Sequence, residues 1–317
     1  MAGKLAVIAI GGNSLIKSKE KISVEDQYLA AKETTYHIAD MLEAGWNVAI
    51  GHGNGPQVGF ILRRSEIAHR VEQMHEVPLD VCGADSQGAI GYALQQTLQN
   101  ELKKRGIKKS VSTIITQVLV DKDDIAFKNP SKPIGGFMDE SEARKKAEDL
   151  NWAVVEDSGR GWRRVVASPI PKDVIELASV KALLDAGQIV ITVGGGGIPV
   201  IEVDGDLQGT AAVIDKDFAS SLLAREINAD LFIISTAVEK IALNFGKSNE
   251  KWLDKITLSE AKKYLAEGVH FAKGSMAPKI QAIIWFIEAT GKQALVTNPE
   301  NIGRALKGET GTWVLPN

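Results

Sequence analysis

Short apolar runs alternate along the chain with segments that carry an apolar stripe at helical spacing. The runs are rich in Val and Ile without strict alternation, which is typical of strands buried on both faces of a sheet. The pattern predicts strands over residues 5–10, 47–50, 114–120, 189–193, 231–235 and 294–297. Amphipathic segments between the runs predict helices over residues 23–44, 215–227, 257–268 and 278–290.

Local signals mark where several of these helices begin and end. Ser23 with Asp26, and Thr257 with Glu260, have the spacing of a capping box at a helix start. Three helical segments are closed by a glycine, which is favoured just past a helix end: Gly45, Gly268 and Gly291. Strands alternating with helices predict an α/β fold, in which a mostly parallel central sheet is sandwiched by helices in three layers. Ligands bind in such folds beyond the carboxyl ends of the strands.

Residues 121–170 interrupt this alternation with polar and charged sequence. They contain a predicted hairpin, 152–156 and 162–167, whose strands are joined through a glycine-containing turn. We interpret the stretch as a small lobe inserted into a single α/β domain that spans residues 1–317. A lobe inserted between strands is suited to act as a lid over a site. A surface excursion without function fits the composition equally well.

Composition places the chain among ordinary soluble globular proteins. Of its 317 residues, 44% are hydrophobic and 24% are charged. The net charge of -3 argues against a broad basic surface for nucleic acid or anionic lipid. The one cysteine, Cys82, excludes an internal disulfide and agrees with a reducing compartment. Because no apolar run reaches the roughly 18 residues of a membrane span, and no signal peptide is evident, a cytoplasmic protein is expected.

Three glycine clusters each follow a predicted strand. They are Gly11-Gly12-Asn13, the run 51–55 and the four glycines 194–197. Glycine lets the backbone approach a ligand closely, and backbone N–H groups ahead of a helix bind phosphate or carboxylate. In a parallel sheet all three clusters open on one edge, which favours an anion site over turn chemistry alone. The spacings match neither a P-loop nor a dinucleotide fingerprint, so a dehydrogenase is disfavoured.

Three lysines stand in positions suited to phosphoryl transfer, which needs aligned positive charge rather than covalent chemistry. Lys132 lies between two prolines, and Lys216 and Lys279 lie where helices are predicted to begin. A lysine at a helix start opposes the helix dipole and usually has an anion or an acidic partner, here Asp215 or Asp217. Because the chain has 37 Lys and Arg residues, a solvated surface charge is the alternative for each lysine. The histidines show no metal-ligand spacing.

Taken together, these motifs resemble those of the carbamate kinases, which have the amino-acid-kinase fold, over nearly the whole chain. The first glycine pair and the Asp-Lys-Asp at 215–217 are shared widely across that fold. The loop HGNGPQVG at 52–59, the lobe motif KPIG at 132–135 and the hairpin DSGRGWRR at 157–164 are specific to carbamate kinases. Further matching stretches are Ser86-Gln87-Gly88, 194–200 and 274–279.

The resemblance implies a reversible reaction in which ATP and carbamate give ADP and carbamoyl phosphate, run toward ATP in arginine catabolism. It also implies Mg²⁺ with the nucleotide and a homodimer. The implied catalytic residues are Lys132, Lys216, Asp217 and Lys279. The residues implied to bind substrate are Gly11, Gly12, Asn13, Gly53, Asn54 and Gly55. The residues implied to bind the nucleotide are Gly195, Gly196, Thr236, Val238, Leu243, Phe245, Met276 and Pro278.

The sequence departs from the family pattern at several positions, none of them a proposed phosphate ligand. They are Gly51, Asp85, Gly136, Met138, Ala211, Ala237 and Glu239. The last two affect the expected base and ribose contacts, and the changes in the lobe affect its closure. Two alternatives stay open: a related kinase of the same fold acting on acetylglutamate, aspartate or UMP, and a non-catalytic nucleotide sensor. The related kinases do not need the lobe motifs, and a sensor is expected to lack one of the three lysines.

Overall fold

The computed structural model describes residues 3–11, 15, 21–156, 161–272 and 274–317, in which strands and helices alternate. Its strands are β1 (Leu5–Ile10), β2 (Asn47–His52), β3 (Val111–Thr113), β4 (Gln117–Val120), β5 (Lys132–Met138), β6 (Val154–Glu156), β7 (Trp162–Val166), β8 (Pro171–Val174), β9 (Ile189–Ile191), β10 (Ile198–Val203), β11 (Asp206–Gly209), β12 (Leu231–Ser235), β13 (Ile241–Leu243), β14 (Lys251–Leu253), β15 (Lys255–Thr257), β16 (Gln293–Thr297) and β17 (Thr312–Leu315). Its α-helices are α1 (Val24–Glu43), α2 (Gly55–Glu72), α3 (Leu79–Lys104), α4 (Glu140–Leu150), α5 (Leu177–Asp185), α6 (Lys216–Glu226), α7 (Leu258–Glu267), α8 (Met276–Thr290) and α9 (Ile302–Leu306).

Eight of the described strands form a central sheet in the order β15-β17-β16-β12-β1-β2-β9-β3. Every neighbouring pair is parallel except β16 and β17, which are antiparallel. Helices α1, α3 and α9 share a core cluster with one face of this sheet, and α5, α6, α7 and α8 share another with the opposite face. The prediction of an α/β fold with a mostly parallel sheet between helical layers is therefore confirmed.

The strand β1 shows why the apolar runs lack alternation. All six of its residues are buried. Ala6, Ile8 and Ile10 belong to the core cluster on one face, whereas Val7 and Ala9 belong to the cluster on the other. Because successive side chains of a strand point to opposite faces, a strand covered on both sides needs apolar residues at every position.

Both predicted capping boxes are present. At the start of α1 the Ser23 hydroxyl accepts from the Asp26 N–H, and the Asp26 carboxylate accepts from the Ser23 N–H. Thr257 and Glu260 make the same reciprocal pair at the start of α7, and Gly268 ends that helix with φ +68°. Each cap satisfies a backbone group that helix geometry leaves unpaired, an effect of about 1 kcal/mol.

The predicted strand over residues 114–120 is wrong in its first half. Only Gln117–Val120 is a strand, and it lies in a second, four-stranded sheet with the order β11-β10-β4-β8. The chain leaves the central sheet after β3, because the side chain of Gln87 binds both the N–H and the C=O of Thr116. The predicted strand 189–193 also ends early, at Ile191, since Val193 has a left-handed backbone with φ +45°.

Sequence analysis does not predict the long helices α2 and α3. Helix α3 contains Gly83, Gly88 and Gly91, and glycine weakens a helical pattern. Gly91 allows close packing on the central sheet, since a Cβ there would lie 2.3 Å from the Thr113 Cγ2. Across the part of the chain that the structure describes, no helix combines the length and apolar character needed to cross a membrane.

Between β4 and β8 the chain forms a separate three-stranded antiparallel sheet, β5-β7-β6, which carries α4. The strands β6 and β7 are the predicted hairpin, and residues 157–160 of its turn lie outside the described residues. Two cations lie over the Trp152 ring: the Lys146 Nζ is 5.2 Å from the ring centroid, and the Arg164 Cζ is 4.5 Å from it. Helix α2 packs closely against this sheet. The Gly59 and Gly135 backbones are so near each other that a Cβ on Gly59 would lie 2.3 Å from the Gly135 Cα.

Candidate active site

A cavity of about 400 Å³ opens beyond the carboxyl ends of the central strands. The loops after β1 and β2 reach it at Gly11 and Gly53. The Gly11 N–H donates to the Ser235 carbonyl and the Gly53 N–H to the Ile10 carbonyl, both at 2.9 Å, which extends the parallel ladder to the cavity edge. The cavity therefore lies at the edge of the sheet that the sequence predicts for chemistry.

Three helices begin at this cavity: α2 at Gly55, α6 at Lys216 and α8 at Met276. A helix N-terminus presents unpaired N–H groups and the positive end of the helix dipole. Asp215 caps α6, but no side chain of the described residues caps α2 or α8. The convergence of three helix N-termini suits the cavity to an anion.

Asp217 holds two lysine ammonium groups against the cavity. Its Oδ1 accepts from the Lys216 Nζ at 2.5 Å, and its Oδ2 accepts from the Lys279 Nζ at 2.7 Å. The Asp217 side chain is only 3% exposed. Lys216 and Asp217 lie in the first turn of α6 and Lys279 in the first turn of α8, and these two helices pack against each other. The packing of α6 on α8 therefore brings the two predicted lysines together.

Lys132 reaches the same place from β5. Its Nζ donates to the Asp215 Oδ2 at 2.6 Å, and the Asp215 Oδ1 accepts from the Asp217 N–H at 2.9 Å. Three lysines and two aspartates thus lie together in the cavity wall, which leaves an excess of one positive charge. This excess favours an anionic ligand.

Burial and charge act in opposite directions on these groups. Burial, together with the charge of Lys279, lowers the pKa of Lys216 to about 8 despite the attraction of Asp217. Burial also lowers the pKa of Lys279, but Asp217 and the other neighbouring groups together outweigh burial, and the net shift is upward. Burial raises the pKa of Asp215 and Asp217, and the neighbouring lysines outweigh it, so both end below their ordinary values. At neutral pH both aspartates are ionised, and Lys216 and Lys279 are protonated.

The four-glycine turn forms another part of the cavity wall, through Gly195. Gly195, Gly196 and Gly197 have φ of +66°, +96° and +87°. A Cβ on Gly195 would lie 2.2 Å from the Asn54 Nδ2. A Cβ on Gly196 would lie 2.3 Å from the Ile214 carbonyl oxygen. Only glycine combines this backbone conformation with so close an approach, so the turn fixes Gly195 directly against Asn54.

Most residues that the sequence assigns to the site line the cavity. They are Gly11, Gly53, Asn54, Gly55, Lys132, Gly195, Lys216, Asp217, Thr236, Val238, Phe245, Met276 and Lys279. Gly196, Leu243 and Pro278 are not part of its wall. Leu243 is buried in the core cluster under α6 and α8, and Gly196 packs on the Ile214 backbone. Gly12 and Asn13 lie outside the described residues.

The wall also contains Lys240, which lies within the stretch 236–245 expected around the nucleotide base, and residues 270–272, to which sequence analysis gives no role. Lys240 lines it while its Nζ donates to Asp254 at 2.6 Å. The His270 ring lies between the Asn244 Oδ1, at 3.0 Å, and the Glu267 Oε2, at 2.5 Å. Residues 270–272 line the cavity directly ahead of the motif at 274–279, and this closeness is the sequence signal that could have found them.

No group of three His, Cys, Asp or Glu side chains within the described ranges is arranged to hold a metal ion. Mg²⁺ bound through nucleotide phosphates and water needs only one or two carboxylates. Asp215 and Asp217 are the carboxylates in the cavity wall. The donor set therefore fits an ion that enters with a nucleotide, and it does not fit a resident metal centre.

Comparisons with known proteins identify the family of this chain. The chain matches the amino acid kinase family over residues 4–298. It is 50% identical to the carbamate kinase of Pyrococcus furiosus over 314 residues, which cover 99% of this chain and 100% of that protein. It is 51% identical to the carbamate kinase-like protein YqeA of Escherichia coli over 313 residues, 98% of this chain and 99% of that protein.

A solved structure gives the same assignment. The carbamate kinase from Giardia lamblia bound to AMP-PNP superposes with a TM-score of 0.92 at 41% identity, over 100% of this chain and 99% of that one. Sequence and fold agree over essentially the whole chain. The chain therefore belongs to the amino acid kinase family and, within it, to the carbamate kinases and their close homologues.

Proposed function

We propose that this chain catalyses reversible phosphoryl transfer between ATP and carbamate, forming ADP and carbamoyl phosphate. The observation that carries the proposal is the array of three lysines on Asp215 and Asp217 in the cavity wall. Phosphoryl transfer requires positive charge around the oxygens of the moving group, and this array supplies it. The acceptor is inferred from the carbamate kinases, such as that of Pyrococcus furiosus at 50% identity.

The proposed chemistry is direct in-line transfer without a covalent enzyme intermediate. In the ATP-forming direction, an oxygen of the ADP β-phosphate bonds to phosphorus while the bond between phosphorus and the carbamoyl oxygen breaks. Carbamate leaves as an oxyanion, so no general acid or base is needed. Lys216 and Lys279 offset the charge of the transferring group, and Asp217 holds both ammonium groups in place.

The two substrates are assigned to different parts of the cavity. Carbamate is assigned to Gly53, Asn54 and Gly55, where α2 begins without a side-chain cap. The nucleotide base is assigned to the apolar part of the wall, which includes Val238, Phe245 and Met276. The Phe245 ring is 63% exposed although it is apolar, which suits it to cover a base. The Giardia lamblia kinase, solved with AMP-PNP, supports a nucleotide site in this fold.

Mg²⁺ is proposed to accompany the nucleotide, and Asp215 and Asp217 are the residues that would hold it, directly or through water. When bound, the ion neutralises phosphate charge. The resemblance to carbamate kinases also supports a homodimer, a cytoplasmic location and a role in the ATP-forming step of arginine catabolism. Sedimentation of the purified chain as a particle of two copies is the expected result for the dimer.

The test is ATP formation from ADP, Mg²⁺ and carbamoyl phosphate, followed through hexokinase and its coupled dehydrogenase. We expect rapid ATP formation by the natural sequence and at least about a hundredfold less by Lys216→Ala. ADP that binds without ATP being formed would contradict the proposal. It would favour a nucleotide sensor or a kinase of the same fold with another acyl phosphate.

A further inference from the structure

Two consecutive residues of α3, Ser86 and Gln87, are buried polar side chains behind the cavity wall. Their exposures are 0% and 1%. Buried polar side chains are normally paired, because an unpaired group costs free energy. Both are paired here: Ser86 binds the wall residue Asn54, and Gln87 binds Gly194, the neighbour of the wall residue Gly195.

Ser86 fixes the orientation of the Asn54 amide. Its hydroxyl donates to the Gly83 carbonyl at 2.6 Å and accepts from the Asn54 Nδ2 at 2.8 Å. A hydroxyl has one proton, and here that proton is committed to a carbonyl, so only an N–H donor can face the Ser86 oxygen. The Asn54 side chain must therefore turn its NH₂ group toward Ser86. Its Oδ1 and second amide hydrogen are left for a ligand.

Gln87 fixes the wall that faces Asn54. Its Nε2 donates to the Gly194 carbonyl at 2.9 Å and to the Thr116 carbonyl at 3.0 Å, and its Oε1 accepts from the Thr116 N–H at 2.8 Å. These contacts anchor the first residue of the four-glycine turn. Gly195, next in that turn, lies against the Asn54 amide. Neighbouring residues of one helix thus hold both sides of the same part of the cavity.

We infer that Ser86 is a positioning residue that orients the Asn54 amide for the carbamoyl group, with Gln87 holding Gly195 against the other side of that amide. The inference rests on the proposed function, which assigns carbamate to Asn54. It deepens that function, because it gives the Ser86-Gln87 pair a role in acceptor binding. For Ser86 it predicts an effect confined to carbamoyl phosphate, since the Ser86 hydroxyl binds Asn54 and Gly83 and no residue assigned to the nucleotide.

The first test is Ser86→Ala in the ATP-forming assay. We expect the KM for carbamoyl phosphate to rise about five- to tenfold, the effect of losing one neutral hydrogen bond, with less than a twofold change in the KM for ADP. Ser86→Cys fills nearly the same volume with a weaker hydrogen-bond acceptor. Its KM for carbamoyl phosphate should therefore rise by less than in Ser86→Ala, and its KM for ADP should again change little. Equal changes in both KM values would indicate a merely structural role and would overturn the inference.

Thr97→Val is the matched control. Thr97 is another buried hydroxyl on α3, donating to the Ala93 carbonyl at 2.7 Å, and it lies about 16 Å along the helix from Ser86. Loss of its hydroxyl should leave both KM values unchanged. A double-mutant cycle with Asn54→Ala adds a second readout. If Ser86 acts only through Asn54, then Asn54→Ala and the double variant should have equal KM values for carbamoyl phosphate.

A measurement without turnover separates this inference from the proposed function. The side-chain amide hydrogens of Asn54, assigned in NMR spectra by comparison with Asn54→Ala, should exchange slowly with solvent in the natural sequence. In Ser86→Ala they should exchange at least about tenfold faster. An inactive natural enzyme with this exchange difference would refute the proposed function and keep the positioning of Asn54. Equal exchange rates would refute the positioning, whatever the activity.

Discussion

At the scale of single residues, the sharing of Asp217 between two lysines sets the properties of the site. The Asp217 carboxylate, which is 3% exposed, faces the ammonium groups of Lys216 and Lys279. Its single negative charge neutralises only half of their combined positive charge. A phosphoryl group that binds here, as we propose, supplies the missing negative charge. The array is therefore suited to bind an anion whose charge grows or spreads during reaction.

Lys216→Ala and Lys279→Ala are each expected to lower kcat at least about a hundredfold, because each removes a charge that we propose to stabilise the transferring group. The fold should persist, since Asp217 keeps the other lysine as a partner. Steady-state ATP formation and a thermal melt measure the two effects. Lys262→Ala is the control, since Lys262 pairs with Glu288 at 2.5 Å on the exposed side of α7 and α8. Near-normal turnover in either cavity variant would contradict the role of that lysine.

The pKa of Lys216, lowered by burial to about 8, predicts an alkaline loss of activity. As pH rises through this value the free enzyme loses a required positive charge, so kcat/KM should fall above about pH 8. The unfolded chain binds more protons than the folded one between this pKa and the ordinary lysine value of about 10.4, so Lys216 itself makes stability rise with pH there. The loss of activity is therefore separate from unfolding.

A pH profile of kcat/KM in the natural sequence and in Lys216→Arg tests this assignment. Arginine stays charged throughout the range, so the alkaline decline of the variant should move to higher pH even if its turnover is lower. An identical decline in both proteins would show that another group causes it.

At the scale of elements, the turn after β9 depends on backbone conformations that glycine adopts readily. The left-handed φ of +45° at Val193 and the positive φ values of Gly195 to Gly197 turn the chain sharply from the central sheet into β10. A chain with side chains at these positions would collide with Asn54, the Ile214 backbone and Val118. The turn is thus specified by close approach to three neighbours as well as by its dihedral angles.

Gly195→Ala is expected to lower kcat/KM by about a hundredfold or more, because its Cβ would lie 2.2 Å from the Asn54 Nδ2 and displace that amide. Gly205→Ala is a matched control. Gly205 has φ +89° in the turn between β10 and β11, and a Cβ there would meet no atom within 4 Å. Both variants should lose about 1 kcal/mol of stability for the backbone conformation, measured by denaturant unfolding. Equal activity in the two would contradict the role of the Gly195–Asn54 contact.

At the scale of the whole molecule, Lys132 joins the separate three-stranded sheet to the start of α6 beside the central sheet. Its bond to Asp215 connects β5 to the cap of α6, while α2 supports the same sheet through Gly59 and Gly135. The two attachments differ in kind. The glycine contact is close backbone packing, whereas the ion pair is 29% and 16% exposed and accessible to a competing anion.

Lys132→Ala should loosen the three-stranded sheet and lower kcat/KM at least about tenfold, since it removes one attachment and one cavity charge. Hydrogen exchange of residues 132–138 and 162–166 should become faster in the variant. Lys172→Ala is the control, because Lys172 pairs with Asp121 at 2.6 Å on the exposed surface. Unchanged exchange in Lys132→Ala would show that the sheet is held by its packing on α2 alone.

The central strands and the capped helices could be predicted because their signals are local. The strand β1 has six consecutive apolar residues, and Ser23 with Asp26 carries a complete capping box within four residues. Helix α3 could not be predicted in this way, because its Gly91 is required by close packing against Thr113, a residue on another element. The strand over 114–120 was mispredicted for the same reason, since the side chain that interrupts it, Gln87, lies 29 positions away.

By itself the sequence determined the α/β alternation, the glycine turns at strand ends, and the three lysines as candidates for phosphoryl transfer. Each of these features has a local signal in the sequence. The strands show it as apolar runs, the turns as glycines that permit positive φ, and the lysines as positions beside prolines or predicted helix starts. Only the tertiary structure decided which lysine meets which aspartate. Lys279 reaches Asp217 across 62 positions and Lys132 reaches Asp215 across 83. Only the packing of α6, α8 and β5 around one cavity brings such distant charges together, and it also gives Ser86 and Gln87 their place behind the cavity wall.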